Sequence, residues 1–279
     1  MTYLVHGATG AQGAPVVRAL EARGLAVRGL SRAGGDLDDR AALAAAYEGV
    51  TGAFIHFPIT PDPAAPARWA ANLAAVARPA RAVISTSGGV PGDPGSPFGP
   101  DRLAAVADLA EGLRAAGVVV TVLAPRLFLE NLLLPPVQET LVGEGVLTYP
   151  VADGHAVGWS SHLDVAEVAV AALTHADPPS FVDVGAVPAL TGPDLAAEFG
   201  AHHNREITYR AMTPTDFGAV LTPVLGAGAA AGIQGLYQAL QGRPDSLAST
   251  GDTDSEKLLG VRTRPVKGWL AVVESQSVR

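Results

Sequence analysis

A glycine-rich turn near the start of the chain constrains the fold more than any other feature. The apolar residues 3–5 are followed by the segment GATGAQG at 7–13, and a helical pattern covers 14–23. A strand, a glycine turn and a helix in this order place a pyrophosphate at the first turn of the helix, where the amides are unpaired and the helix dipole is positive. Gly7 permits the tight turn, Gly10 lets a phosphate approach the backbone, and Gly13 lets the helix pack on the strand. We therefore expect a nucleotide-binding turn; a plain strand–helix turn is the alternative.

Composition narrows the class of protein. The 279 residues are 48% hydrophobic, which suffices for one large domain or for a domain with a small lobe. No apolar stretch approaches the roughly 20 residues that cross a bilayer, and no export signal is visible, so we expect a cytoplasmic protein without a membrane partner. The absence of cysteine excludes thiolate catalysis and disulfides, and the net charge of -8 argues against nucleic acid as a partner.

Apolar runs and helical patterns alternate through the first half of the chain. This alternation predicts an α/β fold, a Rossmann-type doubly wound parallel sheet with a small C-terminal substrate lobe. We expect strands at 3–6, 26–30, 52–57, 81–85, 118–123 and 181–184, and helices at 14–23, 40–47, 64–77, 101–116, 165–175, 193–199, 229–240 and 266–274. In this interpretation the whole chain, 1–279, is one unit: 1–150 form the dinucleotide-binding core, 151–279 are mainly the lobe, and 160–185 return to the core sheet.

The connection after the second predicted strand is unusually short. Only two residues separate Ser31-Arg32 from the segment GDLDD at 35–39, where a doubly wound sheet normally has a helix and a further strand. We therefore expect the usual third strand to be absent. Because an edge strand has one neighbour, its loss leaves the central sheet intact but removes part of the adenosine pocket wall.

Several segments together resemble the NmrA-like group of the atypical short-chain dehydrogenase/reductase superfamily. They are VHGATGAQG at 5–13, with His6 where Thr is usual, GDLDD at 35–39, APRLFLENLL at 124–133, SSHLDVAEVAVAAL at 160–173, ALTGPDLAAEF at 189–199, and a closing Leu-Gly-x-Arg…Trp pattern at 259–269. The segment at 124–133 departs from the group at Ala124 and Arg126, where Arg and Gly are common. The resemblance implies a Rossmann-type fold and an NAD(P) cofactor, and it assigns the adenine to the segment at 35–39.

The end of the second strand favours NADP(H) over NAD(H). An NAD-selective site has a carboxylate there to accept from the ribose 2′-hydroxyl, whereas this chain has Ser31-Arg32. A guanidinium binds a 2′-phosphate as a bidentate fork. The charge of Arg32 would be partly cancelled by three carboxylates close in sequence, those of Asp36, Asp38 and Asp39. Alternatively, Arg32 caps a surface turn.

The Tyr-x-x-x-Lys pair of many reductases in this superfamily is absent. No tyrosine lies between Tyr47 and Tyr149, and Val106 stands where the NmrA-like group often has Lys. Three hypotheses remain. The protein is an NADPH-dependent reductase of a quinone-like or other conjugated carbonyl, whose acceptor takes a proton from water; relatives of this kind include quinone and dye reductases. Alternatively, it is an NADP-binding redox sensor without turnover, or a non-redox isomerase or cyclase.

Individual residues can be assigned to a site on this basis. We expect cofactor contacts from residues of the glycine turn and of three strand ends: Gly7, Thr9, Gly10, Ala11, Gln12, Gly13, Ser31, Arg32, Asp36, Leu37, Phe57, Pro58 and Ser85. Candidate catalytic residues are His56, Ser85 and Asn131. Both His56 and Ser85 end a predicted strand, where a backbone hydrogen bond is the alternative role. The resemblance places Phe128 and Asn131 at the nicotinamide and the substrate; a helix cap is the alternative for Asn131.

The remaining assignments concern the substrate, metals and assembly. The predicted substrate pocket comprises Ser87, Phe128, Asn131, Trp159 and His162, and we expect a small molecule with a planar aromatic group to occupy it. We expect Asp164 to be the N-cap of a helix and Glu167 to complete its capping box. Adjacent side chains point in different directions, so His202 and His203 suit a metal poorly, and we expect no metal site. The chain would act as a monomer or a homodimer.

Overall fold

Two compact units make up the chain. The computed structural model describes residues 1–31, 36–93, 96–248 and 251–277. The first unit takes the described residues of Met1–Pro125, His162–Val184 and Thr250–Arg262; the second takes those of Arg126–Ser161, Gly185–Ser249 and Thr263–Arg279. Residues 126–150, which the sequence analysis grouped with the core, thus fall in the second unit, and which part binds cofactor stays a prediction.

The strands and helices alternate through the first half of the chain. In the described residues the strands are β1 Thr2–His6, β2 Ala26–Leu30, β3 Val50–Ile55, β4 Arg81–Ser85, β5 Val119–Pro125, β6 Val146–Tyr149, β7 Phe181–Val184 and β8 Thr208–Ala211. The α-helices are α1 Gly13–Glu21, α2 Arg40–Tyr47, α3 Ala65–Val76, α4 Pro100–Ala115, α5 Pro135–Glu144, α6 His162–Thr174, α7 Gly192–His203, α8 Pro214–Leu225, α9 Ala227–Gln241, α10 Ser255–Leu259 and α11 Val266–Ser277. Two 3-10 helices cover Leu129–Leu133 and Pro244–Leu247.

A six-stranded sheet is the centre of the first unit. Its order is β2-β1-β3-β4-β5-β7, and all neighbouring pairs are parallel. This arrangement confirms the predicted Rossmann-type sheet. Within the described residues β2 has β1 as its one neighbour, so the expected loss of the usual outer strand is also confirmed. The carboxyl ends of β1, β3 and β4 are adjacent, and ligands of parallel α/β sheets bind at this edge.

Helices cover the sheet and bury its apolar strands. Helix α1 packs against α6, while α3 packs against both α2 and α4. The strand residues Leu4, Ala53 and Ile55 lie in one buried cluster with residues of α2, α3 and α4, such as Leu73. Continuous apolar runs in the strands are what burial on both faces of a parallel sheet requires.

The second unit contains a small parallel pair, β6 and β8, with helices around it. Helix α5 packs on β6, α7 packs on β8 and α11, and α8 packs on α9. Its buried aromatic cluster contains Tyr149, Trp159, Phe217 and Tyr237, with ring centroids about 5.5 Å apart in edge-on contacts. One of these side chains, Trp159, was assigned to the substrate pocket, and it also builds this core.

Several helices of the described residues begin at a capping side chain, and one predicted cap was wrong. The Asp39 side chain accepts from the amides of Ala41 and Ala42 and begins α2. The predicted cap at Asp164 was wrong, because α6 begins at His162 and the buried Asp164 lies within its first turn. No helix of the described ranges is long and apolar enough to span a bilayer.

Candidate active site

The glycine turn between β1 and α1 leaves no room for side chains at two positions. Gly7 has a φ of +59°, and a Cβ there would lie 2.5 Å from Nε2 of His56. A Cβ on Gly13 would lie 2.2 Å from the carbonyl oxygen of Gly7 and 2.7 Å from that of His6. Gly7 thus permits the turn and Gly13 the close approach of helix to strand, as the sequence analysis expected.

The tip of this turn is open to solvent. Thr9, Gly10 and Ala11 are exposed, while Gly7 and Gln12 are half-buried. Helix α1 begins at Gly13 without a side-chain cap, and the amide of Ala14 donates to the carbonyl oxygen of Gly10. The exposed tip of the turn lies at the positive end of the helix dipole, where a phosphate is stabilised.

Gln12 connects the glycine turn to the end of β4. Its Nε2 donates to Oγ of Ser87 at 2.8 Å, and its Oε1 accepts from Oγ of Ser85 at 2.9 Å. Ser87 itself has a φ of +57°, an uncommon conformation for a residue with a side chain. The structure thereby brings together three of the predicted site residues, and the amide fixes both serine hydroxyls in position.

The segment after β2 is held by its own hydrogen bonds. The carbonyl oxygen of Leu37 accepts from Nδ2 of Asn72 at 2.9 Å. Asp38 pairs with Arg68, Asp39 caps α2 and Asp36 accepts from the amide of Asp38, so all three acidic groups that follow Arg32 in the sequence have partners. Arg32 lies outside the described residues. Ser31 is half-buried and Asp36 is exposed.

The two predicted contacts after β3 differ in exposure. Phe57 is buried, with its ring 6.0 Å from that of Trp69, whereas Pro58 is exposed. The Phe57 side chain therefore belongs to the core.

Three histidines stay neutral in the first unit. Burial lowers the pKa of His56, and the Arg102 cation lowers it further, against opposing effects of the backbone of Phe57 and His6. Burial, with a contribution from His56, lowers the pKa of His162 to about 4. Burial and then His56 lower the pKa of His6 to about 3. In the described residues Nε2 of His56 is buried without a hydrogen-bond partner.

Two residues of this region were missed by the sequence analysis. His6, at the end of β1, shares a 2.8 Å hydrogen bond with the hydroxyl of Tyr47 on α2. Arg102, on the first turn of α4, donates to the backbone oxygens of Thr86 and Phe98. The signal for Arg102 was present in the sequence, because it lies four residues before Val106, the spacing of the absent Tyr-x-x-x-Lys pair.

Two of the predicted residues of the second unit, Asn131 and Trp159, lie against Tyr149. Asn131 lies within the 3-10 helix Leu129–Leu133, so it is not a helix cap. Burial raises the pKa of Tyr149 to about 12, and hydrogen bonds with Tyr237 and Asn131 oppose this rise. The Trp159 ring lies 5.5 Å from that of Tyr149, and Phe128 pairs by backbone with Ser160. Glu130 accepts from Trp269 and has a structural role.

The adjacent histidines at the end of α7 converge. Nε2 of His202 lies 2.9 Å from Oε2 of Glu274, and Nε2 of His203 lies 4.0 Å from Oε1. Their ligand atoms all lie within 4.8 Å of one another, so the argument from divergent directions was wrong. The contact joins α7 to α11, and the absence of a metal stays a prediction.

Comparison with known proteins supports the same class. The parallel sheet and the glycine turn define a Rossmann-type protein of the dinucleotide-binding kind. The chain is 30% identical over 226 residues to an NAD(P)H azoreductase from Xenophilus azovorans, covering 75% of this chain and 77% of that protein. It belongs to the NmrA-like group of the atypical short-chain dehydrogenases/reductases. No family model matches the chain.

Solved structures share the fold at low identity. The Citrobacter sp. triphenylmethane reductase complexed with NADP(H) matches with a TM-score of 0.75 and 17% identity, over 96% of this chain and 98% of that one. An NADPH-dependent quinone oxidoreductase from Escherichia coli, complexed with NADPH, matches with a TM-score of 0.71 and 20% identity, over 98% of this chain and 99% of that one. At these identities the likeness shows the fold alone.

Proposed function

We propose that this protein is an NADPH-dependent reductase that transfers a hydride to a quinone-like or other conjugated small molecule. The observation that carries the proposal is the cradle at 7–13, where side chains at Gly7 and Gly13 would collide with His56 and the backbone while the tip stays exposed. The names of the similar proteins, an azoreductase, a triphenylmethane reductase and a quinone oxidoreductase, agree with acceptors of this class.

The residues of the first unit suit this cofactor. The amides at the start of α1 would hold the pyrophosphate, and Leu37 and Asp36 would line the adenosine. Arg32 would bind the 2′-phosphate as a bidentate fork. When bound, the reduced nicotinamide supplies a hydride, which the protein need only position. Ser85 and Ser87, fixed by Gln12, would donate hydrogen bonds to ribose or acceptor oxygens.

The residues of the second unit suit a planar acceptor. Asn131 has an amide that can donate to an acceptor oxygen, and its contact with Tyr149 fixes the orientation of that amide. Trp159 and Phe128 would supply apolar contacts. The acceptor takes its proton from water, so the absence of the Tyr-x-x-x-Lys pair does not prevent turnover.

The test is loss of NADPH absorbance at 340 nm with a panel of a benzoquinone, a naphthoquinone, an azo dye and a triphenylmethane dye. We expect oxidation with at least one acceptor, and a rate at least about 10-fold lower in Asn131→Ala because a donor to the developing charge is lost. Binding of NADPH without oxidation by any acceptor would favour the redox sensor instead. Formation of product without net oxidation of NADPH would favour the isomerase.

A further inference from the structure

A partly buried guanidinium without a carboxylate partner lies at the start of α4. Arg102 donates to the backbone oxygens of Thr86 and, at 2.8 Å, of Phe98. In the part of the chain that the structure describes, no carboxylate pairs with it. Burial lowers the pKa of Arg102. Carbonyl oxygens satisfy some of its donors but leave its charge uncompensated, so an anion at this position would be stabilised.

The side chains near Arg102 do not supply that anion. Its cation acts on His56, whose pKa is already lowered by burial, and His56 in turn acts on His162. Both imidazoles are neutral at pH 7, so Arg102 carries the charge of this cluster. The buried Nε2 of His56 has no hydrogen-bond partner among the described residues, which leaves one further polar atom for a ligand. Thr86, which accepts from Arg102, follows directly after Ser85 at the end of β4.

We propose that Arg102 stabilises the negative charge that the acceptor gains on reduction, in the role that the missing tyrosine would otherwise have. The inference rests on the proposed function. A quinone that receives a hydride at one oxygen forms an O–H bond there and becomes a hydroquinone monoanion, while the nicotinamide is oxidised. The second oxygen carries the negative charge until it takes a proton from water. A fixed guanidinium beside that oxygen lowers the energy of the anion and of the transition state that leads to it.

This assignment defines the substrate class. Favoured acceptors are those whose two-electron reduced form is an oxygen or nitrogen anion, such as quinones and azo compounds. Simple ketones, whose reduced form is a strongly basic alkoxide, need a proton donor in the transition state and should react poorly. Because the same guanidinium is positively charged, the protein should bind a phenolate more tightly than a neutral phenyl ether.

The test is calorimetric titration of the full chain, without cofactor, with 2,4-dinitrophenolate and with the neutral 2,4-dinitroanisole. We expect phenolate binding to weaken by about 10-fold or more in Arg102→Met, because a charged hydrogen bond is lost, and to recover partly in Arg102→Lys. Arg114→Met is the matched control, since Arg114 lies on the same helix and donates to the backbone oxygens of Val120 and Ser180. It should bind phenolate like the unaltered protein. Anisole binding should be the same in all variants.

Two results would overturn the proposal. One is equal binding of phenolate and anisole by the unaltered protein, which requires no variant to fold. The other is unchanged phenolate binding in Arg102→Met at an unchanged melting temperature, which would leave Arg102 as a clamp on the backbone. Because this titration needs no cofactor, its outcome is separate from that of NADPH oxidation. In an active enzyme Arg102→Met should lower kcat for a quinone about 10-fold while the KM for NADPH stays the same.

Discussion

Gly13 of the turn differs from a helical glycine without close neighbours in what surrounds it. The space at Gly13 is filled by backbone of β1 and of the turn, which cannot move aside as a flexible side chain would. A glycine that lies in a helix without neighbours, such as Gly143 in α5, has no such constraint. The same residue type therefore has opposite consequences at the two positions.

We expect Gly13→Ala to lower the free energy of unfolding by about 3 kcal/mol or more, because the new methyl group overlaps the carbonyl of Gly7. Gly143→Ala should raise it by up to about 1 kcal/mol, since alanine is the better helix former. Chemical denaturation of both variants measures the difference. Equal effects of the two substitutions would mean that the turn is not packed as described.

The buried histidines make stability depend on pH. In the folded state burial holds the pKa of His6 near 3 and that of His162 near 4, whereas the unfolded chain has its ordinary value near 6.5. Below pH 6.5 the unfolded state binds protons that the folded state does not, so the free energy of unfolding falls as the pH falls. Each such histidine contributes up to about 1.4 kcal/mol per pH unit.

Between pH 6.5 and pH 5, we therefore expect the free energy of unfolding of His6→Thr to fall by about 2 kcal/mol less than that of the unaltered protein. Tyr47→Phe is the control, because it removes the hydrogen bond but keeps His6 buried, and its pH dependence should stay that of the unaltered protein. Urea denaturation at a series of pH values measures both slopes. A slope that His6→Thr leaves unchanged would contradict a neutral, buried His6.

At the scale of elements, two adjacent aspartates in the segment after β2 have different structural roles. Asp39 caps α2, while Asp38 forms an exposed ion pair with Arg68. Asp39→Ala should lower the free energy of unfolding by about 1 kcal/mol, the typical contribution of an N-cap. Asp38→Ala should change it by less than about 0.5 kcal/mol, because exposed ion pairs are screened by solvent. Thermal and urea denaturation of the pair test this, and the reverse order would refute the assignment.

The tyrosine pair connects β6 with α9 in the second unit. Tyr149 and Tyr237 share a hydrogen bond between hydroxyls, and both side chains are buried. Tyr149→Phe should cost about 1–3 kcal/mol, because the Tyr237 hydroxyl is left buried without that partner. The double variant Tyr149→Phe/Tyr237→Phe should cost less than the sum of the single variants. A double-mutant cycle measured by denaturation checks this, and strict additivity would contradict coupling of the two hydroxyls.

Local patterns predicted the six strands of the larger sheet and eight of the eleven α-helices of the described residues. They missed β6, β8, α5, α8 and α10. The bounds of β2, β4 and α2 agree with the predicted segments because apolar runs and an acidic cap are local signals. The start of α6 was missed because Ser161 and Asp164 are both capping residue types, so the local signal had two solutions. The convergence of His202 and His203 depends on Glu274, 72 residues beyond His202.

In the candidate site, too, features formed by neighbouring residues could be predicted, whereas contacts between residues distant in sequence could not. The glycine turn could be recognised from residues 7–13 alone, because its spacing and its neighbours are characteristic. The bond from Gln12 to Ser85 joins residues 73 positions apart, and no local pattern encodes it. The uncompensated charge of Arg102 likewise depends on which carboxylates the fold leaves out of reach.

For the whole molecule, the central claim is that the first unit binds NADPH at the glycine turn and Arg32. Calorimetric titration of the purified chain with NADPH and NADH tests it directly, with Arg32→Ala as the variant. Arg23→Ala is the control, because Arg23 forms an exposed ion pair with Glu167. We expect NADPH to bind with micromolar affinity and NADH about 10-fold more weakly, with Arg32→Ala removing the preference, since the guanidinium binds the 2′-phosphate. Absence of binding by either dinucleotide would contradict the account.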